Sequence, residues 1–137
     1  MAHVRQVPTL TLEAAKAIAA AAEKHAMRQG WTVAIAIVGA SGDLVLFHGI
    51  DDTQPGSETI AVQKARTAAR LRRPTKALED AIAGGRSALL SVKALALEGG
   101  LPIEAGSRIV GAIGVSGMAS SQDAEVARAG ITAFSGK

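Results

Sequence analysis

Small and aliphatic residues near the start of the chain recur every three or four positions. This helical spacing covers residues 12–29, with Thr11 in front as a candidate N-cap and Gly30 behind as a stop signal. The pattern predicts a first helix. Apolar and β-branched residues then fill 31–38, and an alternating run follows at 44–48 after a glycine-containing turn, so these two runs predict a β-hairpin.

The next part of the chain predicts two helices. Residues 51–56 contain Asp-Asp, Pro and Gly and predict a loop, after which Ser57 is the candidate cap of a helix that runs to about residue 72. Pro74 ends that helix. A shorter helix is predicted for 75–84, before a Gly-Gly pair.

The last part of the chain predicts strands and a final helix. For residues 87–93 the sequence is compatible with either a helical turn or irregular chain. Three short apolar runs at 95–97, 101–103 and 108–115 predict three antiparallel strands joined by tight turns, and 121–134 predicts the last helix.

This order of elements decides the fold class. Because helices and strands do not alternate strictly, an antiparallel sheet flanked by helices in layers, the α+β class, is favoured over a parallel doubly wound sheet. A length of 137 residues predicts one domain, residues 1–137. With 48% hydrophobic and 20% charged residues the chain is too apolar for disorder, and its few aromatics predict a core of Ala, Val, Ile and Leu.

Composition also excludes several functional classes. The chain has no cysteine, which excludes disulfides, thiolate metal sites and cysteine nucleophiles. It has no apolar run of signal-peptide or membrane-spanning length, so we expect a cytoplasmic protein with no membrane partner. Its three aromatic side chains and the lack of a recognised motif predict no nucleic-acid partner.

The predicted helix over 57–72 carries a basic face. This face is either a solvated surface paired with acidic neighbours or an electrostatic collar for an anionic ligand. Lys64 and Thr67 are three residues apart and share a face, whereas Lys64 and Arg70 diverge by roughly 120° on an ideal helix. We therefore predict that Lys64 rather than Arg70 is the main ligand contact.

A glycine-rich run at 111–117 leaves two interpretations open. Glycines inside an apolar strand allow close approach by another backbone or helix. Alternatively, free N–H groups at the strand end near Gly114, Ser116 and Gly117 would hold a carboxylate or propionate in front of the last helix. The run lacks the context of a dinucleotide-binding fingerprint.

The histidines do not form a zinc motif. His3, His25 and His48 are far apart and show no HExxH or His-x-His pattern. One imidazole beside an apolar pocket is still a competent axial ligand for haem iron, and His48, at a predicted strand end, is the candidate.

Several motifs carry a resemblance to a known family. The succession KARTAARLRRPT, GGLPI and GAIGVSG, within a likeness that covers nearly the whole chain, resembles the GlcG/HbpS-like haem-binding family, which includes the PduO C-terminal domain. The resemblance implies a profilin-like arrangement of helices around an antiparallel sheet, assembly into dimers or higher homo-oligomers, and haem binding in several members. Gly39 and His48 stand where the family usually has Asp and Arg.

Two hypotheses for function follow. The first is a protein that binds haem, another tetrapyrrole or another anionic small molecule in a pocket near a subunit interface. Its predicted ligand-binding residues are Lys64, Arg66, Thr67, Arg70, Gly114, Ser116 and Gly117, with His48 as the axial ligand. The alternative is a small accessory enzyme, an isomerase, hydratase or cyclase acting on a carboxylated intermediate, with Lys64 or His48 as base. Whether the protein is an enzyme stays open at this point.

Overall fold

The structure is a computed structural model that describes residues 3–135. The elements, in chain order, are α1 (Leu12–Gln29), β1 (Ala34–Gly39), β2 (Leu44–Gly49), α2 (Ser57–Leu71), α3 (Thr75–Ala83), a 3₁₀ helix (Ser87–Val92), β3 (Gly100–Ala105), β4 (Arg108–Ser116) and α4 (Ser120–Ser135).

The four strands form one antiparallel sheet in the order β2-β1-β4-β3. In the centre, Ile37 of β1 pairs with Leu46 of β2 on one side and with Ile113 of β4 on the other. The predicted α+β class, an antiparallel sheet flanked by helices, is confirmed.

Helices cover both faces of the sheet and make three layers. Strand residues alternate between the faces. Ile35 and Ile37 of β1 pack with α1 and α4, whereas Ala36 and Val38 pack with α2. The α2 side of the core consists largely of alanine, so the helix lies close to the strands, as the low aromatic content predicts.

Local sequence signals at the two ends of α1 predict its bounds correctly. The Thr11 hydroxyl accepts a hydrogen bond from the Ala14 amide at 3.0 Å, and Gly30 ends the helix with a φ of 74°. At α2 the predicted cap is wrong. Gly56 is the N-cap, and the Ser57 hydroxyl lies buried in the first turn, where it accepts a bond from the Gln54 side chain.

The strand predicted at 95–97 does not form, so two strands rather than three follow α3. The Leu95 amide donates to the Thr67 hydroxyl at 3.1 Å, and the Glu98 amide donates to a Glu79 carboxylate oxygen at 2.9 Å. Side chains therefore bond amides that a sheet ladder would use. Residues 87–93, for which the sequence allowed either a helical turn or irregular chain, contain the 3₁₀ helix.

No helix between residues 3 and 135 combines the length and the apolar character needed to cross a bilayer.

Candidate functional site

The Lys64 side chain is buried inside the protein. It extends from α2 to the end of β4, where its Nζ donates to the Val115 carbonyl at 2.9 Å and to Asp123 Oδ2 at 3.1 Å. The Lys64 and Asp123 side chains are 3% and 2% exposed. Lys64 therefore forms an internal ion pair and lines neither of the two cavities described below.

Asp123 is held from two directions. Its Oδ1 accepts a hydrogen bond from the Met118 amide at 3.0 Å, while Oδ2 faces Lys64. Burial raises the pKa of the Asp123 carboxyl, and the Met118 amide and the Lys64 charge oppose that rise. The pair links α2 and α4, which lie on opposite faces of the sheet.

The glycine-rich strand β4 is used for packing. A Cβ on Gly114 would collide with the Ala61 carbonyl and the Ala65 amide of α2. Ser116 is buried, and Gly117, with a φ of 143°, lies against the Thr32 carbonyl. The close-approach interpretation therefore accounts for these residues, and the cavities described below do not include them.

A cavity of about 520 Å³ lies between α2 and the 92–95 segment. The α2 residues that line it are spaced three and four apart, so they share one helix face. The Thr67 hydroxyl fixes the opposite wall through its bond to the Leu95 amide. The lining consists of Gln63, Arg66, Thr67, Arg70, Leu71, Val92, Lys93, Ala94 and Leu95.

The two arginines of this cavity are anchored by the turn between β1 and β2. Arg66 Nε donates to the Gly42 carbonyl and Arg70 Nε to the Ser41 carbonyl, both at 3.0 Å. This leaves the terminal Nη groups for other partners. No carboxylate belongs to the lining, and within residues 3–135 neither arginine nor Lys93 forms an ion pair.

The structure thus brings together Arg66, Thr67 and Arg70 but separates Lys64 and the β4 glycines from them. Sequence reasoning missed Lys93, which reaches the cavity from the opposite wall. A single lysine in a segment without a clear periodic pattern carries no sequence signal for such a position.

His48 lies on the other side of the sheet from this cavity. It pairs in register with Ile35, whose side chain packs with α1 and α4 rather than with α2. Its Nδ1 is 3.1 Å from Glu23 Oε1, but the contact is not aligned as a hydrogen bond. His25 contacts Glu125 at 2.7 Å.

Two other kinds of ligand site come into question, a metal site and a second cavity. In the part of the chain that the structure describes, no three His, Asp or Glu side chains cluster as a metal site. A second cavity, of about 330 Å³, lies where the start of α1 meets Phe134 of α4; its one charged lining residue is Glu13.

Comparison with known proteins identifies the family. The model of the family described as "Haem degrading protein HbpS-like" matches residues 10–132. Protein GlcG of Escherichia coli K12 is 41% identical over 108 residues, which cover 78% of this chain and 81% of GlcG.

Two solved structures are similar over nearly the whole chain. The crystal structure of Klebsiella pneumoniae protein ORFY has a TM-score of 0.92 at 31% identity and covers 100% of this chain and 98% of that one. The crystal structure of a PduOC–haem complex has a TM-score of 0.83 at 26% identity and covers 92% and 95%. This chain belongs to the HbpS-like family.

Proposed function

We propose that the protein binds a small anionic molecule, either haem or another tetrapyrrole or a different anionic compound, in the cavity between α2 and the 92–95 segment. The observation that carries the proposal is the charge of the lining. Arg66, Arg70 and Lys93 supply three cationic groups, and no carboxylate among the lining residues neutralises them.

The cavity also has the mixed character of a ligand site. Its volume of about 520 Å³ lies within the ordinary range of small-molecule pockets, which are mostly apolar with a few placed polar groups. Leu71, Val92 and Leu95 form apolar surface beside the cations. An anion with an apolar body would use both parts of this lining.

Haem is the first candidate to test. It has an apolar macrocycle and two propionates, and the PduOC relative is crystallised with haem. Val92 of the lining and Leu90 of the same 3₁₀ helix are 47% and 66% exposed, and an adjoining subunit would cover apolar surface of this kind.

His48 is not well placed to ligate iron in this cavity, because it lies on the opposite face of the sheet. We therefore expect His48→Ala to bind haemin with the same Soret band as the unaltered protein. A Soret band that differs between His48→Ala and the unaltered protein would instead indicate that His48 ligates the iron.

The experiment is a titration with haemin followed by its Soret absorption. Arg66→Ala and Arg70→Ala should each weaken binding by about 1.5–3 kcal/mol, the range of a hydrogen bond to a charged group. Arg128→Ala, an exposed arginine on α4, is the matched control and should bind as the unaltered protein does. If the unaltered protein and all three arginine variants bind haemin with equal affinity, haem does not bind in this cavity.

The accessory-enzyme alternative has no specific observation in its favour. Lys64, its candidate base, is buried and paired with Asp123. In this alternative the glycine-rich strand end would stabilise an oxyanion, but Gly114 packs against α2 and Gly117 against the Thr32 carbonyl.

A further inference from the structure

We infer that the ligand of the Arg66–Arg70–Lys93 cavity carries two carboxylate groups on a short apolar spacer, and that a compact free dicarboxylate fits it better than haem. The inference rests on the proposed function, because it names the ligand class of the same cavity. Three features of the lining support it.

The first feature is a preorganised clamp for one carboxylate. Arg66 and Arg70 are one turn apart on α2, and consecutive carbonyls of one turn hold their Nε groups. The remaining guanidinium N–H groups are donors with the fork geometry that a carboxylate matches. Because the side chains are already held, binding costs less conformational entropy.

The turn that holds the arginines is itself constrained. Gly42 has a φ of 92°, and a Cβ at this position would lie 2.5 Å from Arg70 Nε. Only glycine leaves room for Arg70 to lie across the turn and reach the Ser41 carbonyl. The turn therefore positions the clamp.

The second feature is a cation on the opposite wall. Lys93 follows the 3₁₀ helix in a left-handed conformation with a φ of 61° and lines the cavity across from α2. A monoanion held by the two arginines would leave Lys93 without a partner. A second carboxylate would compensate this charge, and Leu71, Val92 and Leu95 offer apolar contacts for the spacer.

The third feature is the lack of an iron ligand. The lining contains no His, Met, Tyr or Cys side chain, the usual ligands of haem iron, and a Lys93 ammonium group that pairs with a carboxylate cannot also ligate iron. A metal-free dicarboxylate needs none, which is why we favour it over haem.

The test compares glutarate with pentanoate, two acids with the same number of carbons, by calorimetric titration at equal ionic strength. We expect glutarate to bind about tenfold more tightly, since it gains one further charged contact. Lys93→Ala should lower glutarate affinity about tenfold and leave pentanoate within about twofold, whereas Arg70→Ala should weaken both acids. Lys76→Ala, an exposed lysine on α3, is the matched control.

Two results would overturn the inference. One is equal affinity for the two acids, and the other is a Lys93→Ala variant that binds both as the parent does. If haemin binds in a way that depends on Arg66 and Arg70 but glutarate does not bind, the dicarboxylate inference fails while the proposed function stands. If haemin, glutarate and pentanoate all fail to bind, the proposed function fails with it.

Discussion

Lys64 Nζ lies 3.1 Å from Asp123 Oδ2 in the protein interior, and this ion pair connects two helices that lie on opposite faces of the sheet. Both charges are withdrawn from water, so each depends on the other and on the backbone groups around them. Removing one partner leaves an uncompensated buried charge.

Lys64→Met should therefore lower the free energy of unfolding by about 3–5 kcal/mol at neutral pH. Urea denaturation measures the loss. Lys24→Met, at an exposed position of α1, is the control and should change stability by no more than about 0.5 kcal/mol. A loss below about 1 kcal/mol in Lys64→Met would contradict a structural role for the pair.

The stability of Lys64→Met should also depend on pH. Burial raises the pKa of Asp123, and the variant lacks the lysine charge that opposes this rise. A carboxyl whose pKa is higher in the folded state favours folding as the pH falls through that raised pKa and disfavours folding as the pH rises. The difference in unfolding free energy between the variant and the parent should therefore narrow as the pH falls from about 7 towards about 4, the ordinary pKa of an aspartate in an unfolded chain.

Denaturation series across this pH range provide the measurement. The double variant Lys64→Met with Asp123→Asn is the control, because it has no titrating group at this position. Because the parent keeps the Asp123 carboxyl with its raised pKa and the double variant does not, the difference in unfolding free energy between these two proteins should not narrow as the pH falls. Parallel curves for the two variants would show that Asp123 is not the group responsible.

Gly114→Ala should destabilise the protein by about 1–3 kcal/mol, because the added methyl group would collide with α2 backbone atoms that cannot move independently. Thermal unfolding measures the effect. Gly56→Ala is the matched control, since a Cβ there meets nothing within 4 Å and the φ of −62° suits alanine. Equal melting temperatures for the two variants would mean that α2 does not pack tightly on β4.

Thr67→Val should make the 92–95 segment open more often. The substitution keeps the shape of the side chain but removes the acceptor of the Leu95 amide, which costs about 1–3 kcal/mol locally. Hydrogen exchange at Leu95 should become faster. Thr59→Val, an exposed threonine on the same helix, should leave that exchange unchanged.

The protein should sediment as a homo-oligomer, with a mass that is a multiple of its 13.9 kDa monomer. The family resemblance and the exposed apolar side chains of Leu90, Val92 and Leu97 motivate this expectation. A monomer mass at micromolar concentration in analytical ultracentrifugation would contradict it.

Residues close together in the sequence determined much of the fold. Thr11 and Gly30 mark the ends of α1 because capping depends on amides and carbonyls within one turn. The run at 95–97 has the apolar character of a strand, but its fate depends on Thr67 and Glu79, whose side chains bond the neighbouring amides. No local pattern contains those distant partners.

The same division applies to the candidate site. Helical spacing by itself determined that Arg66 and Arg70 share a basic face of α2. The sequence also singled out Lys64 as a candidate functional residue. It favoured Lys64 over Arg70 as the ligand contact, but it did not show which of the two side chains is buried. Asp123, 59 residues away, pairs with Lys64 in the core, while the β1–β2 turn holds Arg70 at the cavity. Spacing determines which side chains lie together on a helix, but only the packing of distant segments decides which of them are buried.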